Sequence, residues 1–466
     1  MTVACRRRSV LQLSLRQGVV TRFETMPRTE HVAENPAIML PVMSACSLVL
    51  FLGPDFRPGV RPVSQPLRIW ISAAEQSADE HAAAFMRAAR DRLGPIEFEG
   101  VAGPAMRAVG CHCFHDMTAR SAMALAALKR VPEAWILLRR IKAYFANQRF
   151  DAAVMVDSPT LHLPMSGLCK DAKIPVLYYI APQTWAWAPW RNAKIAQRVS
   201  RLACLWPFEE SYFRGYGIPA TYVGHPSFDH LLSTAVDASR VTALRGGGQP
   251  VITLLPGSRR HVVSEVLPGQ LAVMKALTSR FRHARCLIVA ANEAVRQQIT
   301  AMVQSSPYRV PYDLVLGPAE RAAAIQAADL ALVASGTVTL EVAYRATPMI
   351  VMYNHSRWLY SVFGRWLITT KFLSIPNILA GRAVVPEFMP FYRTVDPIIA
   401  RALEMLQTPA SLERIRADLK SLIAPIVKPG AAAGAAAELA KVVGRDGKAT
   451  ASKSEFERVP EMAGVG

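Results

Sequence analysis

Two short stretches carry residue types and spacings suited to phosphate chemistry: Leu254-Leu255-Pro256-Gly257-Ser258-Arg259 and Ser335-Gly336-Thr337-Val338-Thr339-Leu340-Glu341. Each follows an apolar run and leads into a helical pattern. Each therefore reads as a loop at the carboxyl end of a buried strand, the edge where open α/β sheets bind ligands. Gly257 permits close backbone approach, Ser258 offers a hydroxyl, and Arg259 supplies a fixed cation. Ser335, Gly336 and Thr337 open a helix, whose free N–H groups and positive dipole end suit an anion. Glu341, a turn into that helix, can accept hydrogen bonds from ribose hydroxyls. Taken singly, a Pro-Gly-Ser turn or a Ser-Gly-Thr helix start is an ordinary feature. Their recurrence after strands of what reads as one sheet points to a nucleoside diphosphate.

Three carboxylates mark the end of two other strands. Asp157 closes the run Ala153-Val154-Met155-Val156, while Glu75 and Asp79 follow Leu67–Ala73. Helix capping accounts for one such residue comfortably, but not for three. Placed across a cleft from Arg259, they suit general-base removal of a proton from a hydroxyl. The chain contains no Asp-x-Asp pair to hold a divalent cation on a diphosphate. Arg259 and the helix start at Ser335 would then stabilise the leaving group, and no metal or cofactor is expected. The segment Cys111-His112-Cys113-Phe114-His115 has poor spacing for structural zinc, and no second ligand pair follows it.

The elements that must position these groups alternate. Strand patterns recur at Leu67–Ala73, Ile96–Val101, Ala153–Val156, Val176–Ile180, Leu202–Leu205 and Thr221–Val223, with helical stretches between most of them. The alternation restarts at Val251–Leu255, Cys286–Ala290, Tyr312–Leu316, Leu330–Ala334 and Met349–Tyr353. Such a pattern predicts an α/β protein with two doubly wound Rossmann-like domains facing a central cleft. The expected boundaries are 67–233 for the first domain, 234–250 for a polar, glycine-rich linker and 251–443 for the second domain with C-terminal helices. A tail over 444–466 reads as disordered. With 466 residues, 51% of them apolar, the chain is long enough for two buried cores.

Residues 1–66 show no sustained period. They hold a basic start (Arg6, Arg7, Arg8) and an uncharged stretch from Pro36 to Pro54 that is interrupted by Pro41. This region reads as a signal or anchor segment, or as a stretch ahead of a later start at Met26 or Met43. The net charge of +19 permits contact with nucleic acid, anionic lipid or phosphorylated substrates. No nucleic-acid-binding motif accompanies it, so no nucleic acid is expected. The seven cysteines are odd in number and scattered, as for reduced thiols in the cytoplasm. Between Thr118 and Asn147, apolar residues such as Met123, Trp135 and Ile136 are interspersed with Lys129, Arg130, Arg139, Arg140 and Lys142. Ordinary burial explains many such stretches; a basic amphipathic helix also suits an anionic membrane surface.

From about Leu67 to Lys441 the chain resembles the lipid-A-disaccharide synthase family, inverting glycosyltransferases of the two-Rossmann-domain (GT-B) type. The resemblance rests on ordered motifs: Gly100-Val101-Ala102-Gly103-Pro104-Ala105-Met106, Tyr179-Ile180-Ala181-Pro182-Gln183-Thr184-Trp185-Ala186-Trp187, Pro207-Phe208-Glu209 and Val223-Gly224-His225-Pro226. Then follow Leu254 to Arg259, Ala334 to Glu341, Ile375 to Arg382 and Val385-Pro386-Glu387-Phe388. The resemblance implies a UDP-linked acylated glucosamine donor and an acylated glucosamine 1-phosphate acceptor joined at its 6-hydroxyl. It also implies attachment to the inner membrane from the cytoplasm, with a homodimer as one possible assembly.

By the same resemblance Asp157 matches the general base, with Glu75 and Asp79 as acidic positions of the first loop. Gly257, Ser258, Arg259, Ser335, Gly336, Thr337, Glu341 and Asn377 fall to the donor side. Trp185, Trp187 and Arg191 fall to the acceptor or membrane side, together with the basic apolar stretch 118–142. Some positions depart from the family pattern. The first loop, Ala73-Ala74-Glu75-Gln76-Ser77-Ala78-Asp79, carries alanine where two glycines are usual. Asp157-Ser158-Pro159-Thr160-Leu161-His162 lacks a second Asp and an Asn. Ala181 replaces a serine, and Ala188-Pro189-Trp190 displaces an arginine that Arg191 could replace. The departures cluster in the first domain, which leaves open a different lipid acceptor, or a non-catalytic protein binding UDP-sugar or lipid.

Overall fold

The computed structural model describes residues 65–117, 127–354 and 370–446. The segment 1–64, Met123 and the tail beyond 446 lie outside the described residues. Seven parallel strands form the first sheet: β1 (Leu67–Ala73), β2 (Ile96–Val101), β3 (Cys111–His115), β4 (Ala152–Val156), β5 (Val176–Tyr179), β6 (Arg201–Cys204) and β7 (Ala220–Tyr222). Six more form the second: β8 (Val251–Leu255), β9 (Arg285–Ala290), β10 (Asp313–Leu316), β11 (Leu330–Ala334), β12 (Met349–Met352) and β13 (Glu387–Phe388). Helices cover both faces of each sheet. Strands β4, β8 and β11 are buried along their whole length, because a parallel sheet wrapped on both sides has no solvent face. Along β1, Ile69 and Ile71 pack to one core while Trp70 turns to the other, against Phe145 and Phe150.

The strand orders are β3-β2-β1-β4-β5-β6-β7 and β10-β9-β8-β11-β12-β13. In each sheet the chain winds outward in opposite directions from one central pair, β1/β4 in the first and β8/β11 in the second. Loops leaving such a pair diverge, opening a crevice beyond the strand ends. The loops singled out in the sequence are those four: after β1 (Glu75), β4 (Asp157), β8 (Gly257–Arg259) and β11 (Ser335–Thr337).

Two expected boundaries differ. Half of the supposed linker is a helix, Ala238–Arg245, started by Asp237 accepting from the Ser239 N–H at 2.8 Å. It is tied to the second domain by Arg240–Glu320 and Arg245–Asp329 ion pairs. The C-terminal helix Ala431–Val442 returns to the first domain, packing its alanines on helix Gln76–Leu93 and pairing Glu438 with Arg201 of β6. On the way back the chain passes so close to Gly224 (φ +100°) that a Cβ there would lie 2.7 Å from the Lys428 carbonyl oxygen. A side chain is excluded from that crossing.

Candidate active site

Gly257-Ser258-Arg259 stand at the amino end of helix Arg260–Arg280. Gly257 has φ +116°, and a Cβ would meet Val262 Cγ1 at 2.8 Å, so only glycine fits the turn. Ser258 and Arg259 are exposed to the cleft. Beside them, after the neighbouring strand β11, Ser335, Gly336 and Thr337 precede helix Val338–Tyr344 and line a cavity of about 260 Å³ with Gln183, Trp185 and Trp206 of the first domain. The Leu373–Leu379 segment closes its far wall. The Trp185 wall is rigid: its indole N–H donates to Glu209 Oε1 at 2.9 Å, and its ring meets Phe208 edge-on. Glu209 Oε2 accepts from the Leu205 and Trp206 N–H groups. Burial pushes the Glu209 carboxyl up to about 7, against the pull of those three donors.

Asp157 is half-buried at the end of β4. It has φ +55°, and Ser158 after it has φ +46°. Left-handed backbone costs a non-glycine residue on the order of 1–3 kcal/mol, and persists only where surrounding groups over-determine it. Desolvation raises the Asp157 carboxyl above its ordinary range; the Ser158 N–H pulls it down, Glu75 pushes it further up and Arg259 lowers it. Glu75 itself meets Arg259 across the domains, Oε2 to Nη2 at 3.4 Å. Asp157, Glu75 and Arg259 thus share one electrostatic environment. A carboxylate of raised basicity within the field of an exposed guanidinium can take a proton from a hydroxyl while the guanidinium neutralises a departing anion.

Other expected members lie elsewhere. Asp79 is not in a loop, since helix Gln76–Leu93 starts before it. It is buried, with Oδ1 accepting from Gly103 and Met106 N–H and Oδ2 from Ala105 N–H at 2.8–3.1 Å. It caps the short helix Pro104–Ala108, whose own cap residue, Gly103, has no side chain to do so. Asp79 therefore has no path to a substrate. Asn377 is also fully committed: Nδ2 donates to the Val385 carbonyl and Glu387, and Oδ1 accepts from Val384 and Val385 N–H. It braces the cavity wall rather than facing the cavity. Glu341 is buried and takes Arg321 Nε on Oε2 at 2.8 Å.

Trp185, expected on the acceptor or membrane side, faces the Ser335–Thr337 cavity instead. Trp187 carries the Arg191 guanidinium on its ring at 4.4 Å. On helix Ala127–Asn147, Trp135 and Ile136 are 57% and 55% exposed. Arg139 stacks on Trp135 and Arg140 on Phe114. Lys129 and Arg130 belong to the first turns of that helix. The cysteine-histidine segment forms β3, where His112 meets Glu99 at 3.2 Å and the Cys113 thiol donates to the Ala102 carbonyl. Among the described residues no group of three or more His, Cys, Asp or Glu side chains is arranged to hold a metal ion. Sequence reasoning missed Glu209 and Glu387. Both stand in quoted motifs, but a carboxylate acting through its neighbours leaves no signature beyond its presence there.

Two doubly wound domains with paired switch-point loops at a shared cavity are a GT-B fold. The lipid-A-disaccharide synthetase family profile matches residues 69–431, and the chain belongs to the lipid-A-disaccharide synthase family. The chain is 34% identical over 360 residues to the lipid-A-disaccharide synthase of Chromobacterium violaceum, covering 76% of this chain and 91% of that protein. Its identity to the synthase of Syntrophotalea carbinolica is 33% over 387 residues, with coverages of 82% and 96%. Among solved structures, UDP-GlcNAc 2-epimerase from Neisseria meningitidis bound to UDP-GlcNAc superposes with a TM-score of 0.50 at 12% identity, covering 82% of this chain and all of that one. The S. aureus MnaA–UDP structure gives 0.51 at 9% identity, with coverages of 80% and 95%. At such identities the likeness concerns the fold alone.

Proposed function

We propose that this enzyme of lipid A synthesis moves 2,3-diacylglucosamine from UDP to the 6-hydroxyl of 2,3-diacylglucosamine 1-phosphate. Asp157 takes the hydroxyl proton as the oxygen attacks C1 of the donor sugar from the face opposite UDP, which gives the β-1,6 disaccharide with inversion. Negative charge growing on the departing diphosphate falls to Arg259 and to the backbone N–H groups of Gly257–Arg259 and Ser335–Thr337. Glu341 offers its remaining oxygen to ribose. What supports this reading is that Glu75 pairs with Arg259 across the domains at 3.4 Å and that both charges act on the Asp157 carboxylate. Asp157→Asn should lower turnover about 10²- to 10⁴-fold in a mass-detected disaccharide assay while UDP still binds; turnover within tenfold of the parent would sink the base assignment.

The acyl chains of both substrates reside in a membrane, so the enzyme has to meet it. The adjacent exposed pair Trp135 and Ile136, with arginines on the same helix, has the composition of an interfacial helix seated on anionic lipid at the cytoplasmic face of the inner membrane. Trp135→Ser with Ile136→Ser should release the protein from phosphatidylglycerol vesicles in a sedimentation assay. Unchanged sedimentation would remove this helix from the membrane contact.

A further inference from the structure

The backbone of Asp157 is gripped by three groups from two elements, β5 and helix Pro159–Asp171. Its carbonyl oxygen accepts from the Tyr178 phenol of β5 at 2.7 Å and from His162 Nδ1 at 2.6 Å. Its N–H donates to the Tyr179 carbonyl at 3.0 Å. A carbonyl can only accept, so His162 Nδ1 bears the proton. Full burial pushes the imidazole down to about 4, which leaves the ring neutral and Nε2 an acceptor. Ser72 of β1 lies 2.8 Å from Nε2 and donates its hydroxyl proton there. Ser72 is itself fully buried, next to the strand end that leads to Glu75.

This arrangement does something specific. Asp157 and Ser158 both hold positive φ, a conformation each would leave if unrestrained. In helix Pro159–Asp171, His162 reaches back across the turn to the peptide that has to stay rotated. We propose that His162, oriented by Ser72, is a positioning residue that locks Asp157 in its left-handed conformation and so fixes where its carboxylate enters the cleft. This rests on Asp157 being the base. A buried histidine that only filled space would not need a defined tautomer, nor a hydroxyl on β1 to set it. His162 occupies the last position of the Asp-x-Pro motif, where the family pattern has Asn; Asn has an N–H donor but a shorter reach.

The test combines kinetics with an independent spectroscopic readout on the full chain. In 15N-histidine-labelled protein His162 should appear as the Nδ1–H tautomer with no titration between pH 5.5 and 8.5. An Nε2–H form, or a titration near 6.5, would overturn the assignment. His162→Phe keeps an aromatic ring, somewhat larger than imidazole, but removes the donor. It should lower kcat about 10- to 100-fold with donor KM within about twofold, since a misplaced group costs rate more than binding. His162→Asn should recover most of that loss. Ser72→Ala, a smaller cut that keeps the ring packed, should lower kcat about 3- to 10-fold, and it decides the matter if His162→Phe does not fold. In an Asp157→Asn background, neither change should cost more than about twofold further, because the residue they position is gone. Equal losses in both backgrounds would mean a structural role only. Asp157→Asn crippled with His162→Phe and Ser72→Ala unimpaired would refute the positioning role and leave the base standing. An active Asp157→Asn would refute both.

Discussion

Asp79→Asn should cost this protein stability rather than turnover. As a neighbour of Glu75, Asp79 reads as acid-base machinery; in the structure it is a buried cap that holds three backbone N–H groups. Replacing it by Asn preserves shape and separates the two readings. An Asn side-chain oxygen can keep the Gly103 and Met106 N–H groups, but its amide N–H₂ then faces the Ala105 N–H. One charge-assisted hydrogen bond is lost, a buried donor is left unpaired, and the carboxylate no longer opposes the helix dipole. Bonds to ionised groups are worth about 1.5–3 kcal/mol and the dipole term about 0.5 kcal/mol, so the loss is about 3 kcal/mol. For a cooperative unit of this domain's size each kcal/mol moves Tm by about 2–4 °C, which predicts a fall of roughly 6–12 °C. Calorimetry at neutral pH reads the shift, and the disaccharide assay at 20 °C reads turnover. Kcat should stay within about threefold of the parent. A dead enzyme with an unchanged Tm would refute the structural reading and return Asp79 to the chemistry.

The pH profile follows from the neighbours of Asp157. A base works only when ionised, so kcat/KM should fall as pH falls through the Asp157 pKa, and burial sets that limb above the ordinary carboxylate range. Glu75→Gln removes a like charge and should move the limb to lower pH, while Arg259→Gln removes an opposite charge and should move it up; a limb unmoved by either would mean that another group titrates. Asn377→Ala removes four hydrogen bonds within the 374–387 loop and leaves the Val384 and Val385 backbone groups without them, at a cost of about 2–4 kcal/mol. Limited proteolysis should cut that loop faster and donor KM should rise about tenfold, with the acid limb unchanged. Glu209→Gln cannot serve its three N–H donors with one oxygen, so Trp185 should loosen; a several-fold rise in the Kd for UDP and a red-shifted tryptophan emission would register it, and unaltered emission would count against Glu209 as the support.

What could be read from the sequence was whatever is local. The apolar runs at β4 and β8 need no partner information, since a strand buried on both faces is apolar at every position. The loop at Gly257 is legible because a turn of that shape requires glycine. Asp79 was misplaced by a single turn: helix Gln76–Leu93 begins three residues before it and rotates its side chain into the core. Helix Ala238–Arg245 is hidden within the expected linker because it buries only Leu244, so it has almost no apolar stripe, and its glycines follow the helix end at Gly246. The return of helix Ala431–Val442 was out of reach for another reason. A small-residue helix fits many surfaces, and the pairing of Glu438 with Arg201 spans 237 positions.

The first-domain departures from the family pattern look less like loss of function once their surroundings are known. Neither Ala74 nor Ala78 has the positive φ that would demand glycine. Ala78 is buried on helix Gln76–Leu93 and Ala74 packs beside the Trp70 core, so each methyl fills space where glycine would leave a gap. Thr160 is exposed, and a charge lost there disturbs no buried partner. His162 is the departure with consequences, because it alone enters a buried hydrogen-bonded chain that reaches Asp157. A chain that had shed its chemistry would have no reason to keep a strained aspartate gripped by a phenol, an imidazole and a serine hydroxyl. Left-handed backbone at two successive non-glycine residues is costly, and relaxation would have been the easier course. The strain at Asp157–Ser158 and the exposed Arg259 agree with the proposal that Asp157 is the base of a working enzyme.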